Sequence, residues 1–131
     1  MILDTNYLVD LFSGDRNAHR KARKLKRNHE IQRIPTPVLA ELEYGAEFTL
    51  SDAERQRIEN LSRMYSIAKL DAEMAKRAGR LFAQADRASD GDSGADMVDA
   101  MVAALADVTG EAVVTDNRSD FEELGVSVET F

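Results

Sequence analysis

Residues 1–12 have the sequence MILDTNYLVDLF, and this stretch sets the architecture that we expect. Met1–Asp4 is typical of a short buried strand that ends on an acid, and the apolar patch at residues 7–12 suits a short helix. A similar pattern appears near the other end, where Ala112–Thr115 predicts a strand and Asp116 follows it directly. If the two strands are parallel neighbours, both carboxylates lie at the same edge of one sheet.

Predicted strands and helices alternate between these two stretches. Further strands are predicted at Ile31–Ile34, Ser66–Leu70 and Val126–Val128. One helix is predicted to start at Thr36-Pro37, a cap residue followed by proline at the first helical position. Other helices are predicted over residues 16–29, from Ser51 to about Met64, from Asp71 to about Ala88 and from Asp96 to about Val108. A loop is predicted at Ser89–Gly94 and a turn at Asp116–Asp120. This alternation predicts an α/β protein with three layers, α/β/α, around a mostly parallel central sheet.

Length and composition indicate one domain that spans residues 1–131. Hydrophobic residues make up 44% of the chain, enough for a packed core. The chain has no cysteine, which excludes disulfides, thiolate nucleophiles and cysteine-based zinc sites. Neither a signal peptide nor an apolar stretch of the roughly 20 residues that a membrane span needs is visible, so we expect a cytoplasmic protein.

Charge is distributed unevenly along the chain, whose formal net charge is −7. Residues 16–33 contain eight lysines and arginines and one acid, Glu30, and so carry +7, which leaves −14 for the rest. The basic residues are Arg16, Arg20, Lys21, Arg23, Lys24, Lys26, Arg27 and Arg33. Such a stripe on an acidic body is a candidate contact for the phosphates of a nucleic acid, or equally the solvated face of an amphipathic helix.

Acidic residues in apolar surroundings are the candidate functional residues. Asp4 and Asp116 follow strands, while Glu41 and Asp99 lie near the starts of two predicted helices. These four carboxylates could converge in one pocket without either histidine. Clustered and partly buried carboxylates repel one another unless positive charge is present, and all-oxygen ligands suit Mg²⁺ or Mn²⁺. A divalent ion next to a phosphate can activate water, which is the arrangement of many nucleases.

Each acid also has an ordinary structural interpretation. Asp4 could cap the helix that follows it, and Glu41 could be a surface residue of its helix. Asp96 is favoured as a helix N-cap, which would make Asp99 a first-turn acid stabilised by the helix dipole. Asp116 could simply begin a turn. The functional interpretation therefore depends on the combination of the four positions.

Four segments together resemble the PIN-domain family, and more closely its VapC toxin branch. They are Met1-Ile-Leu-Asp-Thr-Asn6, Ile34-Pro-Thr-Pro-Val-Leu-Ala-Glu-Leu-Glu-Tyr-Gly45, Asp99-Ala-Met-Val-Ala-Ala-Leu-Ala106 and Val114-Thr-Asp-Asn-Arg-Ser-Asp-Phe121. The segments follow the family order and extend from residue 1 to residue 121. The resemblance implies an α/β/α ribonuclease that cleaves RNA phosphodiesters with Mg²⁺ or Mn²⁺.

The resemblance also implies roles for individual residues. Asp4, Glu41 and Asp99 would bind the metal, and Asp116 or Asp120 would supply the fourth carboxylate. Four polar residues would orient carboxylates or water: Thr5, Asn6, Thr115 and Asn117. Five basic residues would contact RNA as an accessory surface: Arg16, Arg20, Arg23, Lys24 and Arg27. The expected partners are RNA, a VapB-like antitoxin that occupies the active-site groove, and a second copy of the chain in a homodimer.

Three other classes of protein are compatible with parts of this pattern. A haloacid-dehalogenase-type phosphatase needs a second aspartate two residues after the first, where this chain has Asn6. A receiver domain needs paired acids after the first strand and an aspartate at the end of the third, where Asp71 is a predicted helix cap. A catalytically inactive PIN-like module that binds RNA or protein remains the main alternative, and the joint presence of Asp4, Glu41 and Asp99 argues against it.

Overall fold

A computed structural model describes all residues from 1 to 131. Its five strands form one sheet in the order β3-β2-β1-β4-β5, and every neighbouring pair is parallel. The strands are β1 (Ile2–Leu3), β2 (Arg33–Pro35), β3 (Ser66–Ala68), β4 (Val113–Val114) and β5 (Val128–Glu129). The helices are α1 (Thr5–Ser13), α2 (Arg16–Arg27), α3 (Thr36–Thr49), α4 (Asp52–Met64), α5 (Ala72–Ala88), α6 (Met97–Thr109) and α7 (Arg118–Glu123).

The central strands are buried on both faces. Ile2 and Leu3 of β1 are fully buried, and so are Val113 and Val114 of β4. Because successive side chains of a strand point to opposite faces, helices must cover both sides of the sheet. This confirms the predicted α/β fold with a parallel sheet between two helical layers.

Strand register determines which loops meet at the functional edge. Ile2 pairs with Val113 and Leu3 with Val114, so β1 and β4 end level with each other. Val114 in turn pairs with Glu129, so β5 ends at the same level. The residues that directly follow β1, β4 and β5 therefore lie side by side at the carboxyl edge of the sheet.

Helix α6 packs closely against the central strands because its inward side chains are small. Six of its residues are buried: Ala100, Val102, Ala103, Ala104, Leu105 and Ala106. Alanine also has the highest helix propensity of all residues, so the same composition favours the helix itself. The close approach of α6 to β1 and β4 brings its first turn to the carboxyl edge.

Most of the predicted helix starts agree with the structure. Ser51, Asp71 and Asp96 each accept a hydrogen bond from the backbone N–H three residues ahead, as N-caps do. The predicted loop at Ser89–Gly94 also lies outside the helices.

Two local predictions were wrong. Thr36 does not cap α3, because it is already the first helical residue; its hydroxyl accepts from the backbone N–H of Leu70, and Pro35 occupies the cap position. The predicted turn at Asp116–Asp120 contains the start of α7, whose Phe121 is fully buried. A single buried aromatic residue anchors this short helix, and such a helix has too few turns to show periodicity in the sequence.

No helix of the protein combines the length and the apolar character needed to cross a membrane.

Candidate active site

Asp4 lies at the carboxyl edge of the sheet, between β1 and α1. The residue is 5% exposed, and its carboxylate accepts hydrogen bonds at both oxygens. The backbone N–H of Thr5 donates to Oδ1 at 2.9 Å, and the hydroxyl of Thr115 donates to Oδ2 at 2.8 Å. Asp4 is thus the N-cap of α1 and also faces the end of β4. Asp4 can therefore cap α1 and face a site at the edge of the sheet at the same time.

Asn6 and Thr115 connect the ends of β1 and β4. The side-chain amide of Asn6 donates to the Thr115 hydroxyl at 3.0 Å and to Asp4 Oδ2 at 3.3 Å. Asn6 Oδ1 accepts from the backbone N–H of Asp116 at 3.3 Å, and the Asn117 N–H donates to the Thr115 hydroxyl at 3.0 Å. The network holds the Asp4 carboxylate in one orientation.

Glu41 reaches the same edge from α3. The Thr5 hydroxyl donates to Glu41 Oε1 at 2.6 Å, a short bond of the kind that a charged acceptor makes. The backbone N–H of Thr5 donates to Asp4, so Thr5 contacts both carboxylates. One residue therefore sets the relative position of two acids from separate elements.

Asp99 lies in the first turn of α6 and forms a capping box with Asp96. Asp96 accepts from the Asp99 N–H at 2.8 Å, and the Asp99 carboxylate accepts from the Asp96 N–H at 3.1 Å. The prediction that Asp96 caps this helix is confirmed. The box fixes one oxygen of Asp99, and the carboxylate remains half-buried at the edge of the sheet.

One pocket collects these acids. It is lined by Asp4, Thr5, Asn6, Val9, Asp10, Glu41, Asp99, Asp116 and Asn117. Four of the five predicted site acids therefore share one cavity. Asp10 was not predicted from the sequence, although its spacing indicates it: once α1 begins at Thr5, Asn6 and Asp10 are four residues apart and lie on one face of the helix.

Burial, with added repulsion between charges, raises the pKa of two carboxyl groups in this pocket. The pKa of Asp4 is about 6, mainly because burial disfavours its charge, with Glu41 and Asp116 adding repulsion. The pKa of Asp99 is about 7, again mainly through burial, with repulsion from Asp96, Asp4 and Asp120. None of the ion pairs of the protein involves any of these acids. The pocket thus lacks a positive charge that would balance its carboxylates.

The donor set fits a hard divalent cation. All the charged side chains in the pocket are carboxylates, the uncharged polar ones carry hydroxyl or amide groups, and Val9 is the one apolar residue. In the present side-chain positions no three His, Asp or Glu side chains converge on a single point. Mg²⁺ is commonly held by one or two carboxylates with water completing its shell, so a pair such as Asp4 and Asp99 meets its requirement.

Asp120 lies beside Asp99 and outside the pocket lining. It is close enough to raise the pKa of Asp99. A Cβ at Gly94 would collide with Asp120 Oδ1, while the Gly94 N–H donates to Glu123 of α7 at 3.3 Å. The backbone of Gly94 does not have a positive φ, so glycine is required there by space alone. The loop before α6 thus holds Asp120 against the side of the site. Asp116 and Asp120 both remain candidates for the fourth carboxylate.

The basic segment forms α2 and does not line the acidic pocket. The five candidate RNA contacts are exposed and have no ion-pair partner: Arg16, Arg20, Arg23, Lys24 and Arg27. Two other cations of the segment are paired, Lys21 with Glu129 and Arg33 with Glu111. The stripe is therefore smaller than the sequence indicates, and its free charges lie on α2.

Comparison with known proteins adds a family match. The family model of the PIN domain matches residues 1–126. Comparison with curated protein sequences gives no significant match.

Several solved structures share the fold along almost the whole chain. VapBC2 from Rickettsia felis, bound to a DNA fragment from its promoter, is 22% identical with a TM-score of 0.81, covering 99% of this chain and 97% of that one. DNA-bound VapBC from Salmonella typhimurium is 24% identical with a TM-score of 0.81, covering 98% and 96%. VapC20 from Mycobacterium tuberculosis, described as a toxin that cleaves the sarcin–ricin loop, is 18% identical with a TM-score of 0.72, covering 95% of each chain. At these identities the likeness establishes a common fold.

Proposed function

The chain belongs to the PIN-domain family, and from this premise we propose that it is a divalent-metal-dependent ribonuclease, an endonuclease that acts as the toxin of a VapBC-type pair. The observation that carries the proposal is the pocket that Asp4, Glu41, Asp99 and Asp116 all line without a cationic side chain. PIN domains are generally nucleases that use divalent metal ions. Mg²⁺ and Mn²⁺ both suit the all-oxygen donor set.

Asp4 and Asp99 are the residues that would hold the ion. They come from different elements, burial raises the pKa of both carboxyl groups, and the charge of Asp4 adds to the rise at Asp99. When bound, a divalent cation supplies the positive charge that activates a water molecule and stabilises the charge on the scissile phosphate.

The other polar residues orient these carboxylates and the attacking water. Glu41 is held by the Thr5 hydroxyl and would either complete the ligand set or accept a hydrogen bond from the water. The Thr115 hydroxyl and the Asn6 amide keep the Asp4 carboxylate from rotating. Water would attack the phosphorus in line with the leaving oxygen.

Partners of the chain are proposed from the solved relatives. Two of those with the highest TM-scores are complexes of a toxin with its antitoxin on DNA. We infer a small VapB-like antitoxin that covers the acidic groove, a homodimer and a cytoplasmic location for the complex. The accessory RNA contacts would come from five exposed residues of α2: Arg16, Arg20, Arg23, Lys24 and Arg27.

The proposal is tested by incubating the purified chain with a mixed RNA pool in Mg²⁺ or Mn²⁺ and in EDTA. Cleavage that requires the cation is the expected result. A folded chain that binds the cation and leaves every class of RNA intact would instead support a PIN-like binding module. Gel analysis of the fragments distinguishes internal cuts from trimming at the ends.

Gly94→Ala is expected to lower cleavage about tenfold while leaving the protein folded. The added methyl group pushes the Asp120 carboxylate away from Asp99, and this half-buried side chain can rotate toward solvent without unfolding the domain. Steady-state kinetics and thermal melting measure the two effects. Gly79→Ala is the matched control, because a Cβ at that position of α5 meets nothing within 4 Å.

The tenfold loss should disappear in an Asp120→Ala background if Gly94 acts through Asp120. An equal loss in both backgrounds would mean that Gly94 acts on another part of the site. Full activity of both Gly94→Ala and Asp120→Ala would leave Asp116 as the fourth carboxylate.

A further inference from the structure

A second pocket lies between α2 and the end of β5. It has a volume of about 190 Å³ and is lined by Asn17, Arg20, Lys21, Lys24, Thr130 and Phe131. Arg20 and Lys24 are exposed, are separated by one helical turn and have no ion-pair partner. The pocket therefore presents two free positive charges next to an amide and a hydroxyl group.

Lys21 anchors α2 beside this pocket. Its side chain is 8% exposed, and its ammonium group pairs with the carboxylate of Glu129 at the end of β5. The pair neutralises both charges, so Lys21 fixes the position of α2 against β5. The positive charge of the pocket's side chains comes from Arg20 and Lys24. A buried lysine with a carboxylate partner holds a helix in one register, since breaking the pair would leave a charge buried alone.

This pocket lies at the same edge of the sheet as the acidic site. Thr115 follows β4 and donates its hydroxyl to Asp4, while its backbone N–H donates to Glu129 at 3.1 Å. Thr130 directly follows Glu129. Neighbouring strands are about 4.8 Å apart, so two spacings, roughly 10 Å, separate the backbone at Asp4 from that at Thr130. A flexible chain of a few nucleotides covers this distance.

We propose that this pocket is a phosphate subsite for the RNA strand that leaves the active site, with Arg20 and Lys24 as its charged contacts and Asn17 and Thr130 as hydrogen-bond donors. The inference rests on the proposed ribonuclease function. Two cations next to two neutral donors match the oxygens of a phosphodiester. The two cations would also offset the repulsion between the RNA backbone and the carboxylates of the acidic pocket.

The double variant Arg20→Ala/Lys24→Ala tests the subsite. We expect the KM for a long RNA to rise about tenfold at moderate salt, with kcat unchanged, because these contacts lie away from the scissile bond. The dependence of log KM on log salt should weaken by about 1.4, which corresponds to two lost contacts with single-stranded phosphates. Cleavage of the shortest oligonucleotide that is still cut should not change, since it does not reach the pocket.

Lys26→Ala/Arg63→Ala is the matched control, with the same loss of charge. Both residues are exposed, have no ion-pair partner and do not line the pocket between α2 and β5. The control should retain the KM and the salt dependence of the wild type. If both double variants behave alike, only net charge matters and the subsite is wrong.

RNA binding measured without cleavage separates this proposal from the ribonuclease function. In EDTA, with Asp99→Asn added to each variant, fluorescence anisotropy of a labelled RNA reports affinity alone. A weaker affinity that is specific to the loss of Arg20 and Lys24 supports the subsite even if the wild type cuts no RNA. Equal affinities in all variants overturn the subsite even if the wild type is an active nuclease.

Discussion

Asp99→Asn is expected to reduce RNA cleavage roughly 10³-fold or more, equivalent to about 4 kcal/mol of lost transition-state stabilisation. The substitution keeps the size and shape of the side chain and removes the charge that would hold the cation. The amide oxygen can still accept from the Asp96 N–H, so the cap of α6 stays intact. Single-turnover kinetics with excess enzyme isolate the chemical step from substrate binding.

Asp107→Asn is the matched control for this substitution. Asp107 lies on the same helix, near its other end, and its partner is Arg77 in a surface ion pair. Loss of such a pair costs little stability, and activity should stay within twofold of the wild type. If Asp99→Asn retained more than a tenth of the activity while EDTA abolished it, the cation would have to be held by other residues of the pocket.

The fold and the shared position of Asp4, Asp99 and Asp116 at one edge of the sheet were predictable because local signals and topology agree. A short apolar strand that ends on Asp4 and another that ends before Asp116 place two acids at one edge once the strands are parallel. The cap at Asp96 marks the start of α6 in the sequence, and this start determines where Asp99 lies. In each case a few neighbouring residues determine where the candidate acid lies.

Other features depend on contacts between distant segments, which no local pattern encodes. The contact of Gly94 with Asp120 joins a loop to a short helix, and the helix itself forms because Phe121 is buried. Likewise, Lys21 looks like any other cation of its segment until the strand that carries Glu129 is placed beside it. Residue roles that arise from packing therefore became visible only in the structure.

A divalent cation is expected to stabilise the protein at pH 8, and to do so less at pH 5. At a concentration one hundred times its dissociation constant, a ligand of the folded state raises the free energy of unfolding by about 2.7 kcal/mol. For a domain of this size the melting temperature would rise by roughly 5–10 °C. The physical reason is relief of repulsion among buried carboxylates that have no other counter-charge.

The pH dependence follows from the raised pKa values of the metal-free protein. Asp4 and Asp99 titrate near 6 and 7 when folded, against 3.8 as the ordinary value. Groups with a raised folded pKa contribute stability that is present below the unfolded pKa and is lost as pH rises through the folded pKa. For Asp4 the loss between pH 5 and pH 8 amounts to about 1–2 kcal/mol. At pH 5 protons occupy both groups and compete with the cation.

Thermal melting in EDTA and in Mg²⁺ or Mn²⁺, at both pH values and at constant ionic strength, measures these effects. Asp99→Asn removes one of the repelling charges, so in EDTA at pH 8 it should melt above the wild type by a few degrees. The same variant should lose most of the cation-dependent shift in melting temperature.

An equal shift in wild type and variant would place the cation on other surface acids. A shift that does not depend on pH would mean that neither carboxyl group binds it. A variant that is both more stable and inactive would show that repulsion in the metal-free pocket is the energetic cost of holding carboxylates ready for the cation.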